Sequence, residues 1–176
     1  MVYFKEISIP SWGIIQSFCI EKWNGEFKSA HVFTGDELCY ISDLILNDLK
    51  TVHSITATVK SAVLFINKPG YVQGMHVDGF RLDRAGASNS ALNLPILNCN
   101  ESPMYWYDGA YQLSKSDTSA IDYLKINWQS TPTLVATQVI NVPTVVKIDT
   151  PHHVENKSSG PRLMLSIRFE TDLPVG

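Results

Sequence analysis

The sequence predicts a mostly β protein with few helices, of the sandwich, jelly-roll or barrel kind. Three observations predict it. Short runs rich in β-branched and apolar residues recur at 57–66, 91–97, 104–107, 133–140, 144–148 and 162–169. Gly, Pro, Asn, Asp and Ser gather between them, as in Asn67-Lys68-Pro69-Gly70. The last run alternates strictly, with Leu163, Leu165, Ile167 and Phe169 on one face and Arg162, Met164, Ser166 and Arg168 on the other.

That last strand separates two environments. Its apolar face suits packing between sheets or against helices. Its other face carries two guanidinium groups beside Met164 and Ser166, which suits a barrel lumen holding an anionic ligand. Arg168 lies six residues beyond Arg162, roughly 20 Å at strand rise, too far to grip the same carboxylate.

The first third reads as mixed structure. Thr34-Gly35-Asp36-Glu37 has the pattern of a capping box, and Leu38, Ile41, Ile45 and Leu49 follow at helical spacing. Residues 114–128 are ambiguous. Ser116-Asp117 would cap a short helix carrying Ile121, Leu124 and Ile126, but the period is poor. No internal repeat or low-complexity linker interrupts the chain, and 176 residues fit a single domain.

Composition narrows the function. Hydrophobic residues make up 44% and charged residues 18%, the balance of an ordinary globular protein. The net charge of -3 comes with no basic run, so nucleic acid is not an expected partner. Cys19, Cys39 and Cys99 are odd in number and widely spaced, which argues for buried thiols rather than disulfides or a structural zinc site. The opening residues lack the basic-then-apolar pattern of a signal peptide, and no apolar run approaches the roughly 20 residues of a membrane span. The expectation is a cytoplasmic protein away from membranes.

The chemistry starts at His76-Val77-Asp78. On a strand, residues two apart share a face, so an imidazole and a carboxylate emerge side by side. Alone this is a weak signal, since a structural ion pair would look the same. A third ligand is available in Pro151-His152-His153-Val154-Glu155-Asn156, beginning 75 residues after His76. In a closed antiparallel double sheet the two segments can be neighbours. Two histidines and a carboxylate would then cover one face of an octahedral metal and leave three positions open. Taken by itself, His152-His153 reads more readily as a pair of exposed turn histidines. Arg162, ten residues after His152, would point a carboxylate-matching fork into the same cavity.

In this order, H-x-D, A-L-N-L-P-I, M-Y-W-Y, P-H-H-V-E-N and P-R-L-M-L-S-I-R-F, the sequence resembles the iron(II)- and 2-oxoglutarate-dependent oxygenases. It is most similar to the aspartyl/asparaginyl β-hydroxylase-like group. The resemblance implies a double-stranded β-helix, a jelly-roll or cupin-like fold, over residues 57–170, with residues 1–56 as supporting N-terminal elements. It implies that His76, Asp78 and His152 bind Fe(II) and that Arg162 pairs with the distal carboxylate of 2-oxoglutarate, the cosubstrate. His152 is preferred to His153 by its P-H-x-V-x-N context and its spacing to Arg162. Asp78 completes the triad, where an aliphatic residue would have suggested a halogenase-like site.

Three other residues are candidates within that frame. Asn93 interrupts an apolar strand and would serve the cosubstrate or bond to a neighbouring strand. Arg81 and Arg84 would bind a substrate carboxylate or stand as solvated loop charges. Met104-Tyr105-Trp106-Tyr107 reads as core and barrel wall. The implied activity is a dioxygenase that uses dioxygen to hydroxylate an amino acid, a peptidyl side chain or a similar small molecule. The rivals are a cupin-type metal enzyme that does not use 2-oxoglutarate and a non-catalytic jelly-roll binding module.

Overall fold

The computed structural model describes residues 1–25, 29–79, 81–115 and 123–175. In chain order the elements are β1 (Phe4–Glu6), α1 (Trp12–Trp23), β2 (Ala30–Val32), α2 (Gly35–His53), β3 (Val59–Asn67), β4 (His76–Asp78) and β5 (Ser90–Leu97). They continue with β6 (Pro103–Asp108), β7 (Tyr111–Lys115), β8 (Tyr123–Trp128), β9 (Thr133–Val139), β10 (Thr144–Lys147), β11 (His152–Val154) and β12 (Arg162–Phe169). The strands form two six-stranded antiparallel sheets, a major one ordered β1-β10-β5-β12-β3-β2 and a minor one ordered β7-β8-β4-β11-β6-β9. This is the jelly-roll architecture the strand runs predict.

Side-chain alternation decides what each face of the major sheet meets. Leu163, Leu165, Ile167 and Phe169 of β12 join Ala62, Leu64, Leu92 and Leu94 in a core covered by the two helices. α2 contributes Ile41, Ile45 and Leu49, all fully buried, so its apolar stripe lies against the sheet as its spacing predicts. Each such side chain contributes about 1.5–3 kcal/mol by leaving water. The opposite face of the sheet, with Ala91, Val146 and Met164, packs on Met104, Trp106 and Val154 of the minor sheet. Trp106 closes this layer by donating its Nε1–H to Lys147 O at 2.8 Å.

Several expectations need correction. Thr34 is the residue at the helix cap, but its side chain makes no capping bond, and the Glu37 carboxylate pairs with Lys22 (2.9 Å) and His31 (3.3 Å) rather than reaching back to the cap. Leu124 and Ile126 lie on β8 and not on a helix. Ser116, Asp117 and Ile121 lie outside the described residues. α1 had no counterpart in the sequence reading, and its apolar residues explain why. Ile15 and Cys19 are buried, but Ile14 and Ile20 face solvent, so no clean stripe marks it. Cys19 and Cys99 are buried while Cys39 is exposed, and all three are free.

The N-terminal segment supplies more than helices. β1 and β2 are the two edge strands of the major sheet. Asp48 on α2 accepts from both the backbone N–H (2.8 Å) and the hydroxyl (2.6 Å) of Ser11, fixing one helix to the other. Trp12 and Gln16 of α1 both donate to Pro95 O, at 2.8 and 2.9 Å, which ties that helix to β5. Among the described residues, no helix is long and apolar enough to cross a membrane.

Candidate metal centre

β4 and β11 are the two central strands of the minor sheet, and His76 is the register partner of His152. Strand alternation turns His76, Asp78 and His152 toward the major sheet, where all three are buried. One ligand atom from each lies within 4.8 Å of the other two. His76 Nε2 is 3.5 Å and His152 Nε2 3.6 Å from Asp78 Oδ1.

Local backbone contacts select which atoms face inward. His76 Nδ1 donates to Gly74 O and His152 Nδ1 donates to Thr150 O, each at 2.8 Å and each two residues back. Both imidazoles are thereby held in the tautomer that leaves Nε2 as an acceptor, the form a metal needs, with His76 Nε2 in long contact with Gln73 Nε2 at 3.5 Å. Asp78 is pinned on its backbone as well. Its N–H donates to Ile148 O at 3.0 Å, and its carbonyl accepts from Arg84 Nε at 2.9 Å. Gly79 follows at φ 139°, and a Cβ there would meet the Ala87 side chain at 3.3 Å. Glycine is therefore what lets the chain turn directly after Asp78 and bring Arg84 back onto it.

The charges settle accordingly. Burial alone would raise the Asp78 carboxyl, but the Arg168 guanidinium beside it holds it well below the usual carboxylate range. His152 is pushed down to about 3, chiefly by burial and then by the neighbouring imidazole of His76. Asp78 is thus anionic and His152 neutral at neutral pH, and both converge with His76 Nε2 on one point.

A cavity of about 50 Å³ opens beside these three residues, between the sheets. Phe65, Met104, Ile148, Val154 and Met164 form its apolar wall. Arg162 lines it too; its Nη1 donates to Asn67 Oδ1 at 2.8 Å, while its buried Nε has no partner. Asn93, opposite Ser166 in the β5–β12 register, lines it with a buried Oδ1 that also has no partner. Unpaired buried polar atoms are costly, and two of them facing one cavity mark a place for a polar ligand.

The arginines after the H-x-D motif lie apart from that cavity. Arg81 is exposed and paired with Asp83 (3.1 Å). Arg84 donates to Asp78 O, Ser88 O and Asn89 Oδ1, so its guanidinium braces the turn. His153 points to the opposite face of the minor sheet from His152. There it stacks between Tyr105 and Tyr107, with centroids 4.8 and 5.5 Å away. The residue that sequence reasoning missed is Arg168. It lines the same cavity and is ion-paired with Asp78 Oδ2. The signal was in the alternation of β12; the distance was measured along the strand, when the relevant one runs across to the facing sheet.

No protein-family model and no curated protein matches the chain. Solved structures do. The chain is similar to a prolyl-4-hydroxylase from Pseudomonas putida, at 12% identity and a TM-score of 0.53, covering 97% of this chain and 94% of that one. It is similar to the epimerase SnoN, solved in complex with Fe3+, alpha ketoglutarate and nogalamycin RO, at 10% identity and a TM-score of 0.55, covering 97% and 79%. It is also similar to HygX from Streptomyces hygroscopicus with nickel and 2-oxoglutarate bound, at 13% identity and a TM-score of 0.50, covering 94% and 81%. At such identities the likeness establishes the fold. Two of these three neighbours were solved with a metal ion and 2-oxoglutarate in place.

Proposed function

We propose that the protein is a non-haem iron(II), 2-oxoglutarate-dependent dioxygenase that hydroxylates an amino acid, a peptidyl side chain or a similar small polar substrate. The aspartyl/asparaginyl β-hydroxylase-like group is the part of that superfamily its motifs favour. One observation carries the reading. A buried set of two imidazole nitrogens and one carboxylate oxygen shares a cavity with an arginine whose Nε has no partner.

The donor set fits iron(II), for which two histidines and a carboxylate on one face leave three positions open. His76 and His152 would bind through Nε2 and Asp78 through Oδ1. Arg162, braced by Asn67, would receive the distal carboxylate of 2-oxoglutarate, and the Asn93 side-chain amide, which lines the same cavity, would donate to the cosubstrate through its N–H. When bound, iron and 2-oxoglutarate together supply oxidative decarboxylation coupled to oxygen insertion at a C–H bond. The chain's part is to orient both carboxylates and to keep water away with Phe65, Ile148 and Val154. A cavity of about 50 Å³ is small against the ~300 Å³ at which ligand pockets usually begin. Met104 and Met164 are the flexible lining side chains whose rotation would enlarge it.

Anaerobic titration of the protein with iron(II) and then 2-oxoglutarate tests the reading. A weak visible charge-transfer band that saturates with 2-oxoglutarate is the expected result. Full iron loading with no band and no 2-oxoglutarate binding would overturn it in favour of a cupin-type enzyme that does not use 2-oxoglutarate.

A further inference from the structure

Each of the three metal-facing side chains has one atom turned inward and one atom held from behind. For His76 and His152 the holding groups are backbone carbonyls, Gly74 O and Thr150 O. For Asp78 the holding group is a side chain. Its Oδ2 is ion-paired with Arg168 Nη2, while Oδ1 faces both imidazoles at 3.5 and 3.6 Å. With the Asp78 N–H on Ile148 O and its carbonyl on Arg84, Oδ1 is the one polar atom of the residue left facing the imidazoles.

We propose that Arg168 is a positioning residue that confines Asp78 to binding the metal through one oxygen, an inference resting on the metal reading above. The physical argument is one of geometry. A carboxylate can bind a metal through one oxygen or both, and a second bound oxygen would take one of the three positions that cosubstrate and dioxygen need. A guanidinium presents a rigid fork of donors and holds one carboxylate oxygen away. The fold aims it. Arg168 sits on the lumen face of β12, in the major sheet, and Asp78 on β4, in the minor sheet, so the pair bridges the two. The pairing of β12 with β3 shifts register between Arg168 and Phe169, and bulges of this kind re-aim side chains. Both partners are largely shielded, with 16% and 10% of their side-chain surface exposed, so water screens the pair little.

The test counts waters on bound Mn(II) by water-proton relaxation, in the wild type and in Arg168→Met and Arg168→Gln, with far-UV circular dichroism checking the fold. The wild type is expected to show about three exchangeable waters, the open positions of an octahedral ion on a three-residue face. Arg168→Met frees Oδ2 to bind and should show about one fewer. Arg168→Gln keeps a donor for Oδ2 and should return to the wild-type count, which a purely sheet-bridging role would not require. If Arg168→Met binds Mn(II) with the wild-type water count, the assignment of Arg168 fails while the metal site stands. If Arg168→Met does not fold, a wild-type count of about two, or a Gln variant that loses a water, overturns the proposal. If the wild type binds no Mn(II) at all, the metal reading fails, and this one with it.

Discussion

His76 and His152 face each other in register across β4 and β11, their ring centroids 4.4 Å apart. Cross-strand partners at this distance offer two nitrogens to one ion without any movement of the backbone. Replacing either histidine by alanine should lower Fe(II) or Ni(II) affinity by more than the 10–100-fold that the loss of an outer partner costs. Equilibrium dialysis with metal analysis measures this, and an unchanged affinity in His152→Ala would remove that residue from the site.

Arg162 should matter to the cosubstrate and not to the metal. A hydrogen bond to a charged group is worth about 1.5–3 kcal/mol, so Arg162→Met should weaken 2-oxoglutarate binding by roughly 10–100-fold. Titrating the charge-transfer band with 2-oxoglutarate gives that affinity directly. Ni(II) affinity, measured alongside, should stay at the wild-type value.

Acid should destabilise the metal-free protein over a defined window. His152 is held down to about 3 in the folded state, by burial and then by His76, against an ordinary value near 6.5. Below about pH 6.5 the unfolded chain therefore binds a proton that the folded chain refuses until about pH 3. Stability falls as pH drops through that window, by up to ~1.4 kcal/mol per pH unit. His153, lowered by burial, adds in the same direction, and Asp78, also lowered, adds a further loss below about pH 4. Urea melts at a series of pH values measure the slope. His152→Gln should flatten it.

Asn156 holds together the loop between β11 and β12. Its Nδ2 donates to Asn67 O, Lys68 O and Gly160 O at 3.0, 3.1 and 2.9 Å. Its Oδ1 accepts from Ser102 Oγ at 3.2 Å and from Ser158 N and Oγ at 3.1 and 2.7 Å. Asn156→Ala removes the shared partner of these mostly part-buried groups and should cost about 2–4 kcal/mol, a fall in Tm on the order of 5–15 °C. Differential scanning calorimetry reads it out.

How much of this was legible in the sequence differs by element. β12 could be read residue by residue, because alternation between apolar and polar side chains is the direct imprint of a strand with two different faces. His76 and Asp78 were legible for the same reason. β11 was not recognised as a strand: three residues between a proline and a polar loop carry too little pattern. α1 escaped because its apolar residues point to both core and solvent. That Arg168 faces the lumen was legible in the alternation of β12, but its pairing with Asp78 was not, since contact between facing sheets depends on how the sheets stack and not on separation along one strand.

β4 is buried on both sides. Val77, between the two ligands, is fully buried on the far face and lies opposite fully buried Leu124 of β8. A slip of one residue in this strand would drive valine into the polar cavity. It would also press an imidazole and a carboxylate into an apolar layer with nothing to pair them. Both errors are penalised at once, so three residues of strand suffice to fix the phase of the site, and misregistered forms should be too sparse to compete during folding.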